Sequence, residues 1–106
     1  MQFESILDCI DVSLDSLGQA TKNMIYAKMQ SQNHFARQDI IFKPEEFKMH
    51  LETMFETSSK LFERSIVRGL VRQFELNLQT NFDLVGAIHQ AKEVLSRPRE
   101  EELVVA

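Results

Sequence analysis

Lys60, Arg64, Arg68 and Arg72 recur every four residues, and Glu4, Asp8, Asp11 and Asp15 recur every three or four. Either spacing collects its side chains on one face of a helix, so the chain carries a cationic ridge and an acidic stripe. Guanidinium forks bind carboxylates and phosphates through paired N–H donors. The chemistry the ridge offers is therefore anion recognition. Like charges four apart on a helix repel by roughly 0.2–0.5 kcal/mol per pair, so the ridge needs an opposing anion or full solvation. The expected answer is the acidic stripe of the first helix, lying against the ridge within the monomer or across a symmetric dimer. An acidic partner protein and a nucleic-acid backbone are the alternatives. A helix that reads a duplex is normally supported by further cations on flanking elements, and only scattered ones, Lys22, Lys28 and Arg37, are available.

A second constellation is His89 with Lys92 three residues on, one turn away on the same helix face. Histidine phosphotransfer helices use this arrangement, the imidazole accepting a phosphoryl group and the cation steadying its charge. Glu93 follows the lysine and sets a negative charge beside that position. Other chemistry is thinly represented. Gly18, Gly69 and Gly86 are too dispersed for a phosphate-cradling loop or dinucleotide fingerprint. Cys9 is the single cysteine and has no catalytic partner close in sequence, so it reads as a small residue between helix faces. His34, His50 and His89 lack the spacing of a metal site; Glu46 and His50, four apart, make at most a weak surface pair.

Helices must carry these residues. Phe3, Ile6, Leu7, Ile10, Leu14 and Leu17 form an apolar stripe that predicts a helix over 2–17, flanked by its acidic stripe. Gly18 interrupts the pattern and is placed to cap it, with one kinked long helix as the alternative, and Met24, Ile25, Ala27 and Met29 continue helical spacing to about residue 32. Residues 33–43 lose the period and read as an ordered loop. Pro44 opens a third helix, with Glu45 and Glu46 suiting its positive end and Phe47, Leu51, Met54 and Phe55 on its buried side.

Thr57, Ser58 and Ser59 mark a bend before a fourth helix over 59–78. Its apolar line of Phe62, Ile66, Leu70 and Phe74 is broadened by Val67, Val71 and Leu78 and makes it the central helix. Gly69 inside it costs about 1 kcal/mol relative to Ala, which predicts a closely packed neighbouring backbone, from this chain or a second one. Asn81 caps a fifth helix ending at Pro98. The Met and Phe residues between Met24 and Met54 read as core, with an adaptable groove or dimer face as the alternative.

The chain has 106 residues, 43% of them hydrophobic and 26% charged, with a net charge of −4. That length suits one core, and so few Gly and Pro disfavour an all-β fold with many tight turns. The mild acidity argues against a surface selected as a whole for nucleic acid. No run approaches the ~20 apolar residues of a membrane span, the start lacks the basic segment of a secretory signal, and a lone cysteine suits a reducing cytoplasm.

The set Leu14-x-x-Leu17-Gly18, Ile25-Tyr26, Pro44-Glu45-x-Phe47 and Leu51-x-x-x-Phe55, together with the apolar fourth helix, resembles the Nitrosopumilus-type signal-output domains of ammonia-oxidising archaea, over about residues 1–96. The resemblance implies cytoplasmic signalling, alone or behind a response-regulator receiver, and brings no catalytic residue with it.

Together these features predict an all-α fold, a compact bundle of about five helices that allows a helical homodimer. Residues 1–96 would form the domain and 97–106 a flexible acidic tail. The expected function is a non-enzymatic interaction or signal-output module, self-associating or binding another signalling protein, with no cofactor, metal or membrane. The contact residues are Lys60, Arg64, Arg68 and Arg72 with Glu4, Asp8, Asp11 and Asp15. A DNA-binding regulator using the basic ridge, and a phosphotransfer protein using His89 and Lys92, are the rival readings.

Overall fold

A computed structural model describes residues 2–77 and 83–97. It is an all-helical bundle with no strand among the described residues: α1 (Glu4–Asp15), α2 (Gln19–Asn33), a single-turn α3 (Asp39–Phe42), α4 (Pro44–Phe55), a 3-10 turn (Glu56–Ser58), α5 (Ser59–Phe74) and α6 (Leu84–Ser96). Five helices of three turns or more thus form where the apolar periodicity places them. The stretch read as a loop holds one extra turn, α3, which drives Ile40 and Ile41 into the core.

Each boundary has a local cause. Gly18 joins α1 to α2 at φ +125°, a conformation closed to residues with a Cβ. Pro44 starts α4 as N1, where no backbone donor is lost. The α4–α5 corner is the short bend expected of Thr57 and Ser58; Phe55 and Phe62 stack across it at 4.3 Å. Two expectations are corrected. α5 stops at Phe74 rather than near Leu78, because Glu75 turns left-handed at φ 52° and Leu76 folds back to donate to the Val71 carbonyl. α6 is capped by Asp83, whose carboxylate accepts the Gly86 N–H at 2.9 Å, and not by Asn81. Asn81 itself, Pro98 and the acidic tail beyond it lie outside the described residues.

The core runs the length of the bundle. Ile6, Ile10 and Leu14 of α1, Ile66 and Leu70 of α5, Phe47 and Leu51 of α4 and Ile88 of α6 are buried in this one cluster. α5 packs against α1, α4 and α6, which makes it the central helix. Burying such side chains stabilises by about 1.5–3 kcal/mol each. The charged faces of α1 and α5 are thereby turned outward.

Candidate interaction groove

α1 and α5 lie side by side with small side chains at the seam. Ser65 Oγ donates to the Ser13 carbonyl at 3.3 Å, and Gly69 lies against Ser13 and Cys9. As α5 advances from 65 to 69, its neighbours on α1 retreat from 13 to 9, so the two helices are antiparallel. The close backbone predicted from Gly69 is therefore α1 of the same chain. Ser13 satisfies its own buried hydroxyl by donating to the Cys9 carbonyl at 3.0 Å. Burial pushes the Cys9 thiol above its ordinary pKa, so it sits there as a packed, protonated group and not as a nucleophile.

Above this seam the two helices leave a groove of about 630 Å³. Its floor is Cys9, Ser13 and Gly69, and Arg64, Arg68 and Arg72 form one rim. Val12 and Leu61 also line it, and they are 68% and 60% exposed, among the largest apolar exposures on the described surface. Antiparallel packing sets Asp8 at the Arg72 end and Leu17 at the Leu61 end. Lys60 is exposed on the same ridge but outside the groove.

The counter-ion expected for this ridge within the monomer is not there. Among the described residues, Lys60, Arg64, Arg68 and Arg72 make no ion pair, because the acids of α1 are taken by other cations. Arg37, from the connection after α2, reaches Glu4 at 2.7 Å, Asp8 at 3.0 Å and Asp11 at 2.7 Å. Lys22 holds Asp15 at 2.9 Å. Tyr26 adds its hydroxyl as a donor to the other oxygen of Asp11. The bond to Asp11 comes first in holding the Arg37 guanidinium above its ordinary pKa, with Glu4 adding to it. Glu4, Asp8 and Asp11 are thus half of an internal clamp that fastens the α2–α3 connection to α1, while Asp15 is tied to the first turn of α2. Asp8 also borders the groove.

His89 and Lys92 do not come together as a phosphoryl site would need. The Lys92 ammonium donates to the Ile41 carbonyl at 2.9 Å and sits 5.9 Å above the Phe3 ring, while exposed His89 faces Glu45 at 3.5 Å. Of the weak Glu46–His50 pair, Glu46 lies 4.0 Å from Lys43 and His50 packs edge-on against Phe35. Among the described residues no group of three metal-ligating side chains converges. Nor is any helix of the described residues long and apolar enough to cross a membrane. Met29 and Phe35 are core, as read, whereas Met24, Phe42 and Met49 stay on the surface.

Val12 and Leu61 are the groove residues that the apolar periodicity passed over. Each is an apolar side chain set among charges: Val12 among Asp8, Asp11 and Asp15, Leu61 between Lys60 and Arg64. A single hydrophobe on a charged helix face was the available signal. Comparison of the chain with protein-family models, curated proteins and solved structures finds no match.

Proposed function

We propose that this chain is a non-enzymatic protein-interaction module, and that the α1–α5 groove receives an apolar surface flanked by carboxylates. The observation that carries this reading is the coincidence of two unpaid surface features in one place. Val12 and Leu61 are exposed where they gain by burial, and Arg64, Arg68 and Arg72 stand beside them without an internal counter-ion. Apolar contact would supply affinity, and the arginines would set register and reject cationic partners. A second copy of the chain qualifies as partner, since it presents the same exposed Val12 and Leu61 for mutual burial. Another signalling protein qualifies equally, and a cytoplasmic signalling role is what the family resemblance implies.

A polyanion is the second reading, favoured by the bare ridge, which runs about 18 Å along α5. Against it, Arg37 and Lys22, two of the cations that could have gripped a phosphate backbone, are already engaged by carboxylates. Light-scattering mass of wild type and Arg68→Glu, at low and high salt, tests the self-association form. A concentration-dependent dimer lost in the variant is expected. A monomer that instead binds duplex DNA, with affinity falling steeply as salt rises, would replace the protein-partner reading.

A further inference from the structure

We propose that the occupant of the groove is the outer face of α4 on a second copy of this chain, so that copies associate head to tail and not groove to groove. This inference rests on the interaction reading of the α1–α5 groove and names its partner. The face of α4 carries the chemistry that the groove lacks. Glu45, Met49 and Glu52 recur at i, i+4 and i+7, which puts them on one stripe of the helix, with Glu46 alongside. Met49 is 52% exposed, the three carboxylates are about half exposed or more, and Phe42, 62% exposed, stands just before the helix begins. An apolar knob ringed by acids is the complement of an apolar groove rimmed by arginines.

The dimensions agree as well. Glu45 and Glu52 lie about 10.5 Å apart along their helix axis, and Arg64 and Arg72 about 12 Å apart along theirs. With α4 laid along the groove, these two carboxylates reach the ends of the arginine rim, Glu46 is left for Arg68, and Met49 enters between them. The floor of Cys9, Ser13 and Gly69 is small enough to admit an unbranched thioether, and Val12 and Leu61 stand ready to cover it. The acids of α4 remain able to accept. His89 lies 3.5 Å from Glu45, Lys43 4.0 Å from Glu46 and Lys48 3.2 Å from Glu52. Exposed pairs of this kind contribute little, and each engages one oxygen of its carboxylate. The acids around Val12 on α1, by contrast, are gathered by Arg37 and Lys22. Groove against groove would bring the arginines of both copies only Asp8, which Arg37 already holds at 3.0 Å. The groove and the α4 face have no residue in common, so the contact is heterologous: one chain gives its α4 to a neighbour while its own groove receives another.

The test uses the full chain, labelled with fluorescein at its amino terminus. Labelled Arg68→Glu keeps the α4 face and loses the groove, and it is titrated by anisotropy with unlabelled wild type, Met49→Lys and Arg68→Glu. Binding to wild type and to Met49→Lys, whose grooves are intact, and weak or no binding to Arg68→Glu are expected. A labelled chain carrying both Arg68→Glu and Met49→Lys should bind about ten-fold or more weakly to each receiver, since it offers the arginines a cation. Met49 is exposed, so its replacement leaves the core alone. A labelled chain with Arg68→Glu, Glu45→Gln and Glu52→Gln keeps Met49 and should bind about five-fold more weakly. If neither set of α4 changes alters the affinity, α4 is overturned as occupant and the groove stands as an interaction site for another surface. No binding of labelled Arg68→Glu to any receiver overturns the second copy as occupant, while the duplex titration above still decides between a protein and a polyanion for the groove.

Discussion

Ser13 Oγ occupies the space into which residue 69 would project a side chain: a Cβ on Gly69 would stand 2.5 Å from that oxygen and 3.4 Å from Cys9 Sγ. The glycine is therefore a spacing device for the α1–α5 seam, and two opposing effects meet there. Gly69→Ala gains up to ~1 kcal/mol of helix propensity but forces Ser13 off its bond to Cys9 or spreads the helices, an overpacking cost of typically 1–3 kcal/mol. The expected net result is a loss of about 1 kcal/mol in urea denaturation. Adding Ser13→Ala removes the clashing oxygen, so the double variant should be at least as stable as wild type. A double variant as weak as Gly69→Ala alone would mean that the seam is not limited by this contact.

Arg37 alone answers three carboxylates of α1, and its loss does more than delete a surface pair. Arg37→Ala leaves Glu4, Asp8 and Asp11 on one helix face without a cation, Asp11 keeping only the Tyr26 hydroxyl. Because these side chains are partly solvated, the expected cost is about 1–2 kcal/mol. The deficit should shrink at high salt as the residual repulsion is screened. Arg37→Lys should recover only part of it, because one ammonium cannot serve three acceptors as the planar fork does. A salt-independent deficit would point to lost packing as the cause.

Glu56 turns the α4–α5 corner at φ 52°, ψ −121°, a region costly for any residue with a Cβ. Glycine adopts it freely. Glu56→Gly should raise stability by about 1 kcal/mol, the relief of strain outweighing the extra entropy of the unfolded chain. Thermal unfolding gives the check, and a lower Tm would show that the corner's geometry is held at no cost.

How much of this could be read from residue order follows the range of the interactions. The stripes Ile6–Ile10–Leu14 and Phe62–Ile66–Leu70 are local periodicities, and both are buried as read. So is the charge segregation, since exposure of Arg64, Arg68 and Arg72 follows from the face they share. Arg37 was illegible as a clamp: it lies in a stretch without periodicity, and its partners are 26 to 33 residues away. Pairing the two stripes with each other was the simplest electrostatic solution on paper, but the turn at Gly18 swings α2 and its following connection back onto α1, delivering a nearer cation. The groove itself depends on the antiparallel docking of α1 on α5, which no local pattern encodes. Helix ends failed where a single backbone choice decides them, at Glu75 and at Asp83.

Glu63 carries a pH dependence of its own. One of its carboxylate oxygens is shut off from solvent and unpartnered among the described residues. Burial, then the nearby charge of Glu52, holds its pKa above the ordinary value, with Lys48 and Ser59 opposing. A carboxylate with a raised folded-state pKa contributes stability that is fully present below its unfolded pKa of about 4.3 and is lost as pH rises through the raised value. Glu63→Gln should therefore be more stable than wild type at pH ~7, with a higher Tm. The two proteins should converge toward pH ~4, where the acid is protonated. A gap that widens on acidification would reverse the sign of this argument.

Arg68 sits between Arg64 and Arg72 with like charge on both sides, and among the described residues it makes no ion pair. Its charge is thus a cost to the isolated fold. Arg68→Glu converts two repulsive i,i+4 contacts into attractive ones, each worth roughly 0.2–0.5 kcal/mol in either sense. The variant should be more stable than wild type by about 1 kcal/mol, and less so at high salt. The same substitution should remove partner binding in the groove. Stability and binding moving in opposite directions is the signature of a residue held for recognition, because a residue serving only the fold would lose both together. Arg68→Gln separates charge from sign: it removes the repulsion without adding attraction, so about half the stability gain is expected while binding is still weakened. Denaturation and anisotropy measured on the same three proteins decide it, and an Arg68→Glu chain that unfolds more easily would show that the arginine serves the fold after all.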